Sequence, residues 1–86
     1  MKHTEFTPIA FTLSTEFIEI CNLLKLVGLA DSGGRGKAMV AQGLVMVDDV
    51  LETRKTAKIR AGQVVKVDGH IITVANKMAL ANLIES

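Results

Sequence analysis

The sequence predicts an α+β domain in which helices pack on one face of a small, mostly antiparallel sheet. Three observations lead to this fold class. Apolar residues recur at helical spacing before Gly28, whereas β-branched residues alternate along the chain after Gly43. Asp68-Gly69 separates two alternating stretches, and this pair favours a two-residue hairpin turn. The 86 residues suffice for one modest core, so we expect a single domain over residues 1–86.

The first predicted elements are a strand and a helix. Ile9 and Phe11 alternate with smaller residues after Pro8, which predicts an edge strand whose start tolerates a missing amide. The apolar stripe of the helix consists of Phe17, Ile20, Cys21, Leu24 and Val27. Ser14 is a suitable cap, with Leu13 packing on Ile18 as a hydrophobic staple. Gly28 ends the helix by supplying a left-handed conformation.

A second helix and two hairpins follow. The helix is predicted from its cap, Ser32, to about Gln42, with Gly43 closing it. The first hairpin places Val45, Val47 and Val50 around the turn Asp48-Asp49, and the second pairs residues 63–67 with residues 70–74. A short C-terminal helix is predicted after Asn76, with an apolar face of Leu80, Leu83 and Ile84.

The composition excludes several classes of protein. A hydrophobic content of 49% with 22% charged residues is ordinary for a folded domain and excludes disorder as the main state. No apolar run approaches the roughly 18 residues of a membrane span, and the amino end does not resemble a secretory signal. A lone cysteine, Cys21, forms no internal disulfide, which agrees with a reducing compartment. We therefore expect a cytoplasmic protein with no membrane partner.

Catalysis and metal binding have little support in the sequence. His3 lies near a terminus and His70 follows a turn, and neither has an acid or nucleophile at motif spacing. Cys21 on the helix stripe is typical of a small core residue rather than a nucleophile. Asp48 and Asp49 are more typical of a solvated turn than of paired catalytic carboxylates. We expect no enzymatic activity, no metal and no cofactor.

A glycine-rich helix start and a later basic run form the candidate binding site. After Asp31, the first turn of the second helix contains three glycines and two cations, at Gly33, Gly34, Arg35, Gly36 and Lys37. Helix starts normally favour acids, so bare amides, small residues and cations together suggest a seat for a phosphate. The basic run on a later strand holds Arg54, Lys55, Lys58 and Arg60 without an acid. Because a helix pair and the following hairpin pack locally, we expect the two parts to face each other. The alternative is that the basic run only solubilises an exposed strand and loop.

Five short motifs occur in a specific order along the chain. They are Leu24–Leu29, Ser32–Lys37, Gly43–Asp48, Glu52–Lys58 and Gly62–Val65. Their order resembles the ribosomal protein S-four-type RNA-binding domain, and in particular its small stand-alone bacterial members, over about residues 15–74. The resemblance implies a motif of the αL type, two helices and a β-hairpin, that holds structured RNA chiefly by its backbone.

The resemblance also implies which residues bind RNA. They are Lys25, Ser32, Gly33, Arg35, Lys37, Arg54, Lys55 and Lys58. We expect a monomeric, non-catalytic protein that binds ribosomal or transfer RNA or a ribosomal particle. The chain has no tyrosine or tryptophan, which argues against base stacking as the main mechanism. The alternative is a protein interaction module whose basic face meets an acidic partner, since the net charge is only +1.

Overall fold

The computed structural model describes residues 6–77, which form two helices, a five-stranded sheet and a two-stranded sheet. The elements, in chain order, are β1 (Thr7–Leu13), β2 (Ile18–Glu19), α1 (Ile20–Leu26), α2 (Gly33–Ala41), β3 (Val45–Val47), β4 (Val50–Leu51), β5 (Lys58–Ile59), β6 (Val64–Val67) and β7 (His70–Asn76). The predicted α+β class is confirmed. The short strands β2 and β5, which pair with each other, are additions that the sequence pattern did not predict.

The larger sheet has the strand order β1-β7-β6-β3-β4. Strand β1 lies at one edge, as predicted, and runs parallel to β7 from the pair Thr7–His70 to the pair Leu13–Asn76. The other neighbouring strands are antiparallel. Pro8 is the second residue of β1, where an edge strand tolerates a missing donor. The prediction of a mostly antiparallel sheet with an amino-terminal edge strand is therefore confirmed.

Both predicted hairpins are present, and their turns use left-handed backbone conformations. Asp48 and Asp49 have φ angles of 51° and 68°, and Asp68 and Gly69 have φ angles of 47° and 84°. Two successive positive φ angles are the geometry of the tight turn whose twist matches that of paired strands. Aspartate tolerates this conformation better than most residues, which explains how Asp48-Asp49 forms a tight turn without glycine.

The hydrophobic core lies between the helices and one face of the sheet. Alternating strand residues point into it, at Val45, Val47, Val65, Val67, Ile72 and Val74. The helices contribute Ile20, Leu23, Leu24, Met39 and Val40. Burial of one face per element is the pattern expected for helices packed on a single side of a sheet. Residues of opposite parity, such as Met46 and Lys66, therefore lie on the outer face of the sheet.

The start of the first helix differs from the prediction. Helix α1 begins at Ile20 rather than after Ser14, and its N-cap is Glu19, whose side chain makes no capping bond. Ile18 pairs with Ile59 across β2 and β5, so the chain is extended just before the helix. A strand partner so far along the chain is invisible to local periodicity. Phe17 consequently lies outside the helix, and the staple between Leu13 and Ile18 does not form at a helix start.

The second helix agrees with the prediction. Ser32 is the N-cap of α2, and Gln42 is the C-cap. Gly28 after α1 and Gly43 after α2 have φ angles of 86° and 78°, as expected for residues that end helices in a left-handed conformation. The predicted C-terminal helix with Leu80, Leu83 and Ile84 lies outside the described residues, and Asn76 is the last residue of β7.

Candidate functional site

The start of α2 presents free backbone donors beside two cations. The hydroxyl oxygen of Ser32 accepts a hydrogen bond of 3.1 Å from the amide of Arg35. The amides of Gly33 and Gly34, which precede Arg35 in the same turn, have no acceptor among the described residues. Free amides at a helix start favour an anion. This turn, residues 33–37, is called the helix half of the site below.

The three glycines of the helix half serve different purposes. A Cβ atom on Gly36 would lie 2.6 Å from the carbonyl oxygen of Cys21, so only glycine allows α2 to approach α1 this closely. The interpretation that all three glycines make room for a ligand is therefore wrong for Gly36. Gly33 and Gly34 have no neighbour nearer than 3.8 Å and 3.9 Å to such an atom, so they leave space at the helix start.

The basic run is a loop for most of its length rather than a strand. Arg54 and Lys55 lie between β4 and β5, and only Lys58 belongs to a strand. Arg54, Thr56, Ala57 and Lys58 line a shallow depression with a volume of about 340 Å³. Lys55 is exposed beside it and has no ion-pair partner within residues 6–77. Residues 54–60 are called the loop half of the site.

One cation of the loop half is neutralised by a carboxylate. Arg54 donates hydrogen bonds of 3.0 Å and 3.1 Å from Nε and Nη2 to the two carboxylate oxygens of Glu52. The hydrogen bonds from the guanidinium lower the pKa of the Glu52 carboxyl, and the same contact raises the pKa of Arg54. The Arg54 side chain is nevertheless 78% exposed. Its remaining N–H groups face solvent, but its net charge is offset.

The first turn of α1 brings the two halves together. On one side, Gly36 of the helix half packs against the backbone of Cys21. On the other side, the amide of Ile20 donates a hydrogen bond of 2.8 Å to the carbonyl of Ala57 in the loop half. Two adjacent residues of α1 thus contact both halves through the backbone. That the cations of the two halves face one common surface stays a prediction.

The remaining predicted site residues divide according to this geometry. Arg35 and Lys37 flank Gly36 in sequence, are exposed, and have no ion-pair partner within the described chain. Lys25 lies in the last turn of α1, about 6 Å along the helix axis from Cys21, where a cation also suits the helix dipole. Its place at the rim of the site stays a prediction.

The acidic turn of the first hairpin is occupied by scaffold contacts. A carboxylate oxygen of Asp48 accepts a hydrogen bond of 3.0 Å from the amide of Val64. Asp49 forms an ion pair of 2.6 Å with the ammonium of Lys66. These acids therefore bind β6 rather than the cations of the helix half or the loop half.

Sequence reasoning missed the contact between the loop half and the ring of Phe17, and it left Arg60 of the basic run out of the predicted binding residues. The ammonium nitrogen of Lys58 lies 4.9 Å from the centroid of the Phe17 ring, and the guanidinium carbon of Arg60 lies 5.6 Å from it. The sequence pattern predicts Phe17 in the helix stripe because its spacing to Ile20 and Leu24 is helical, but α1 begins only at Ile20. Nothing in the local pattern distinguishes that stripe from a short strand that precedes a helix.

Residues 6–77 contain no cluster of three or more His, Cys, Asp or Glu residues placed to hold a metal ion. His70 Nδ1 lies 3.1 Å from the carbonyl oxygen of Asp68 and 3.3 Å from that of Val67, so its ring contacts the backbone of its own turn. Cys21 is a buried free cysteine. Neither helix of the described region is long and apolar enough to cross a membrane.

Comparison with known sequences identifies the same segment as a domain. The family described as the S4 domain matches residues 11–75. A relative from Escherichia coli, the candidate RNA-binding protein YbcJ, is 49% identical over 57 residues, which span 66% of this chain and 81% of the relative. The candidate ribosome maturation protein RlbA of Bacillus subtilis is 33% identical over 58 residues, spanning 67% of this chain and 82% of that protein.

A solved structure shares the fold. The solution structure of Escherichia coli YbcJ aligns with a TM-score of 0.64 and 42% sequence identity, covering 87% of this chain and 96% of that one. That structure is described as containing an αL motif involved in RNA binding. The family match over residues 11–75 includes both helices and both halves of the site.

Proposed function

The chain belongs to the S4 domain family, and we propose that it is a non-catalytic protein that binds the phosphate backbone of structured RNA. The observation that supports the proposal is that the helix half and the loop half both contact the first turn of α1. The helix half supplies the free amides of Gly33 and Gly34, and the loop half supplies exposed cations. Together they form a cradle for the oxygens of neighbouring phosphates.

The charges of the cradle support a polyanionic ligand. Six exposed cations in α1, the helix half and the loop half have no carboxylate partner within residues 6–77, namely Lys25, Arg35, Lys37, Lys55, Lys58 and Arg60. A cation without a partner is free to displace counterions from a phosphate backbone, which is the main source of affinity in such complexes. If four to six cations each neutralise one phosphate, the logarithm of the affinity falls with the logarithm of salt concentration at a slope of about −3 to −5.

The aromatic residues favour folded RNA over single strands. Proteins that bind single strands stack bases on exposed rings. Here the ring of Phe17 lies beneath two cations and that of Phe11 packs against the hydrophobic core. Phe6 is 45% exposed, but it precedes β1 in the chain, whereas the residues of the site follow α1 or lie within it. Recognition therefore depends on the position of phosphates and the shape of a folded RNA.

The names of the relatives suggest the kind of RNA. YbcJ is named for RNA binding and RlbA for ribosome maturation. We therefore propose ribosomal RNA, transfer RNA or a ribosomal particle as the partner, bound by a monomer in the cytoplasm. Phosphate recognition of this kind needs no catalytic group.

The direct test reverses the charge of two loop residues. Replacing Arg54 and Lys55 with glutamate changes the local charge by four units, so we expect binding to a bacterial ribosomal RNA stem-loop to weaken by more than about 100-fold at low salt. Both side chains are exposed, so the thermal unfolding temperature should stay close to that of the wild type. Unchanged affinity in the folded double variant would remove the main support for the proposal.

A matched pair of single variants controls for net charge. Lys55→Gln and Lys66→Gln make the same change, but Lys66 lies on the outer face of the sheet, where it pairs with Asp49. We expect Lys55→Gln to weaken RNA binding several-fold and to flatten the salt dependence by about 0.7–0.9 in slope, whereas Lys66→Gln should do neither. Equal losses in the two variants would indicate a non-specific effect of total charge.

The alternative function, binding of an acidic protein partner by the same basic face, predicts a different outcome in cells. The tagged protein is recovered from a bacterial lysate with and without ribonuclease treatment. Our proposal predicts that ribosomal material is lost when RNA is destroyed. A protein that stays bound after ribonuclease, and is released by the double substitution at Arg54 and Lys55, would favour the alternative.

A further inference from the structure

The ring of Phe17 lies close to two exposed cations of the loop half. The Lys58 ammonium and the Arg60 guanidinium lie 4.9 Å and 5.6 Å from the ring centroid, within the distance of about 6 Å at which a cation is attracted to an aromatic face. Phe17 itself is half-buried, whereas both cations are exposed. Neither cation has an ion-pair partner within the part of the chain that the structure describes.

The pairing of β2 with β5 produces this arrangement. Ile18 faces Ile59 towards the core, and Glu19 faces Lys58 on the other side of the two-stranded sheet. Because side chains alternate along a strand, Phe17 lies on the same side as Glu19, and Arg60 on the same side as Lys58. The aromatic ring and the two cations are therefore neighbours on one surface.

Gln63, just before β6, holds the backbone of Arg60 through two hydrogen bonds. The amide of Arg60 donates a hydrogen bond of 2.8 Å to the side-chain oxygen of Gln63, and the carbonyl of Arg60 accepts one of 3.3 Å from the Gln63 amide. Ile59, just before it, is 1% exposed. The hydrogen bonds to Gln63 and the burial of Ile59 restrict the backbone of Arg60, so the position of its Cα atom is well defined.

The ring differs from a carboxylate in its effect on charge. Glu52 orients Arg54 but offsets its charge. Phe17 orients Lys58 and Arg60 without offsetting their charges, since the attraction comes from the quadrupole of the ring. Glu19, the acid nearest to Lys58 in register, is half-buried and forms no ion pair with it. Lys58 thus keeps its full charge for a phosphate.

We infer that Phe17 is a positioning residue of the RNA-binding site and that Arg60 belongs to that site. The inference rests on the proposed function. Long cationic side chains lose conformational freedom when they bind a phosphate, and a ring that already confines them reduces this loss. The ring is covered by the cations, so its role is to hold them and not to stack on a base.

The test compares three variants of two phenylalanines. Phe17→Leu removes the quadrupole and keeps an apolar side chain, Phe17→Trp restores a stronger quadrupole, and Phe11→Leu removes a ring that carries no cation. The probe is a fluorescent stem-loop of bacterial ribosomal RNA. We expect Phe17→Leu to weaken binding about three- to tenfold with an unchanged salt slope, because the charges remain. Phe17→Trp should bind as tightly as the wild type, and Phe11→Leu should as well once folded.

Arg60→Ala provides the second arm. Loss of one phosphate contact should flatten the salt slope by about 0.7–0.9, unlike Phe17→Leu. In a double-mutant cycle, the combined effect of Phe17→Leu and Arg60→Ala should be smaller than the sum of the single effects, since both act on one contact. Additive effects would overturn the positioning role of Phe17, and an unchanged slope in Arg60→Ala would overturn the place of Arg60 in the site.

The outcomes separate this inference from the proposed function. If the wild type binds the stem-loop and the variant with glutamates at positions 54 and 55 does not, the proposed function stands. Unchanged or tighter binding by Phe17→Leu would then overturn the inference alone. If the wild type does not bind, both fall. Nuclear magnetic resonance of the free wild type gives a check that needs no variant, since the ring should shift the side-chain methylene resonances of Lys58 and Arg60 upfield, and unshifted resonances would overturn the inference.

Discussion

Arg35 and Lys37 in the helix half carry their charges with no carboxylate partner within residues 6–77, whereas the loop half holds most of its cations in place. Arg54 is bound by Glu52, and Lys58 and Arg60 lie on the ring of Phe17. A cationic side chain without a partner loses conformational entropy when it binds a phosphate, and a side chain already confined by a neighbour loses less. If the protein binds RNA as proposed, we expect the loop half to fix the position of the RNA backbone and the helix half to add affinity.

The largest effect is expected where the two halves are joined. Gly36→Ala places a Cβ atom 2.6 Å from the Cys21 carbonyl oxygen, so α2 must move away from α1. Overpacking of this kind costs about 1–3 kcal/mol, which for a domain of this size lowers the Tm by roughly 5 °C or more. Thermal denaturation followed by circular dichroism measures the change.

Gly34→Ala is the matched control in the same helical turn. Its Cβ atom would have no neighbour nearer than 3.9 Å, and alanine favours a helix more than glycine does. We expect the Tm of this variant to equal or slightly exceed that of the wild type. Equal losses for the two glycines would show that helix propensity, and not the contact between α1 and α2, determines the sensitivity of this turn.

The next largest effect concerns the free cations of the helix half. Replacing Arg35 and Lys37 with glutamine removes two charges that no described carboxylate offsets. We expect the affinity for a ribosomal RNA stem-loop to fall about tenfold or more and the salt slope to flatten by about 1.4–1.8. Titrations at several salt concentrations measure both quantities. An unchanged slope would mean that the helix half does not contact phosphates.

A smaller effect of opposite sign is expected for Glu52. Glu52→Gln removes the negative charge beside Arg54, so RNA binding should tighten about two- to threefold at low salt. The gain should vanish at high salt, where such interactions are screened. Weaker binding by this variant would indicate that Glu52 matters more for orienting Arg54 than for offsetting its charge.

The smallest effect is the dependence of stability on pH. Because hydrogen bonds from Arg54 lower the pKa of Glu52 in the folded state, the ion pair stabilises the fold at pH values above the unfolded pKa of about 4.3. This contribution is lost as the pH falls through the lower folded value. Unfolding free energies of the wild type and Glu52→Gln, measured from neutral to acidic pH, should differ by a constant amount down to about pH 5 and converge as the pH falls through the lowered folded pKa of Glu52. Curves that stay parallel throughout would contradict the assigned cause.

Local sequence rules predicted the parts of the fold whose causes are local. Ser32 caps α2, Gly28 and Gly43 follow helices, and Asp68-Gly69 forms a tight turn, because each depends on a few neighbouring residues. Strands β2 and β5 depend on a pairing between distant segments, so the predicted helix began too early and Phe17 was misplaced. Gly36 also could not be interpreted from local rules, because a side chain at this position is excluded by the backbone of Cys21 in the neighbouring helix.

The candidate site was predictable in its residue types and not in its contacts. Exposed cations in two separate segments were visible in the sequence, and the structure brings those segments to one turn of α1. The pairing of Arg54 with Glu52 and the position of Arg60 over Phe17 depend on side-chain directions, which a one-dimensional pattern does not contain. Whether these cations bind RNA stays a prediction.

A titration of the isotope-labelled protein with a ribosomal RNA stem-loop, in which every amide is followed by nuclear magnetic resonance, distinguishes one binding surface from two separate ones. We expect the amides of residues 33–37 and 54–60 to shift together, with one common saturation point, while Lys66 and Met46 on the outer face of the sheet stay unchanged. Shifts confined to one half, or concentrated on the outer face, would contradict the claim that the two halves form a single binding surface.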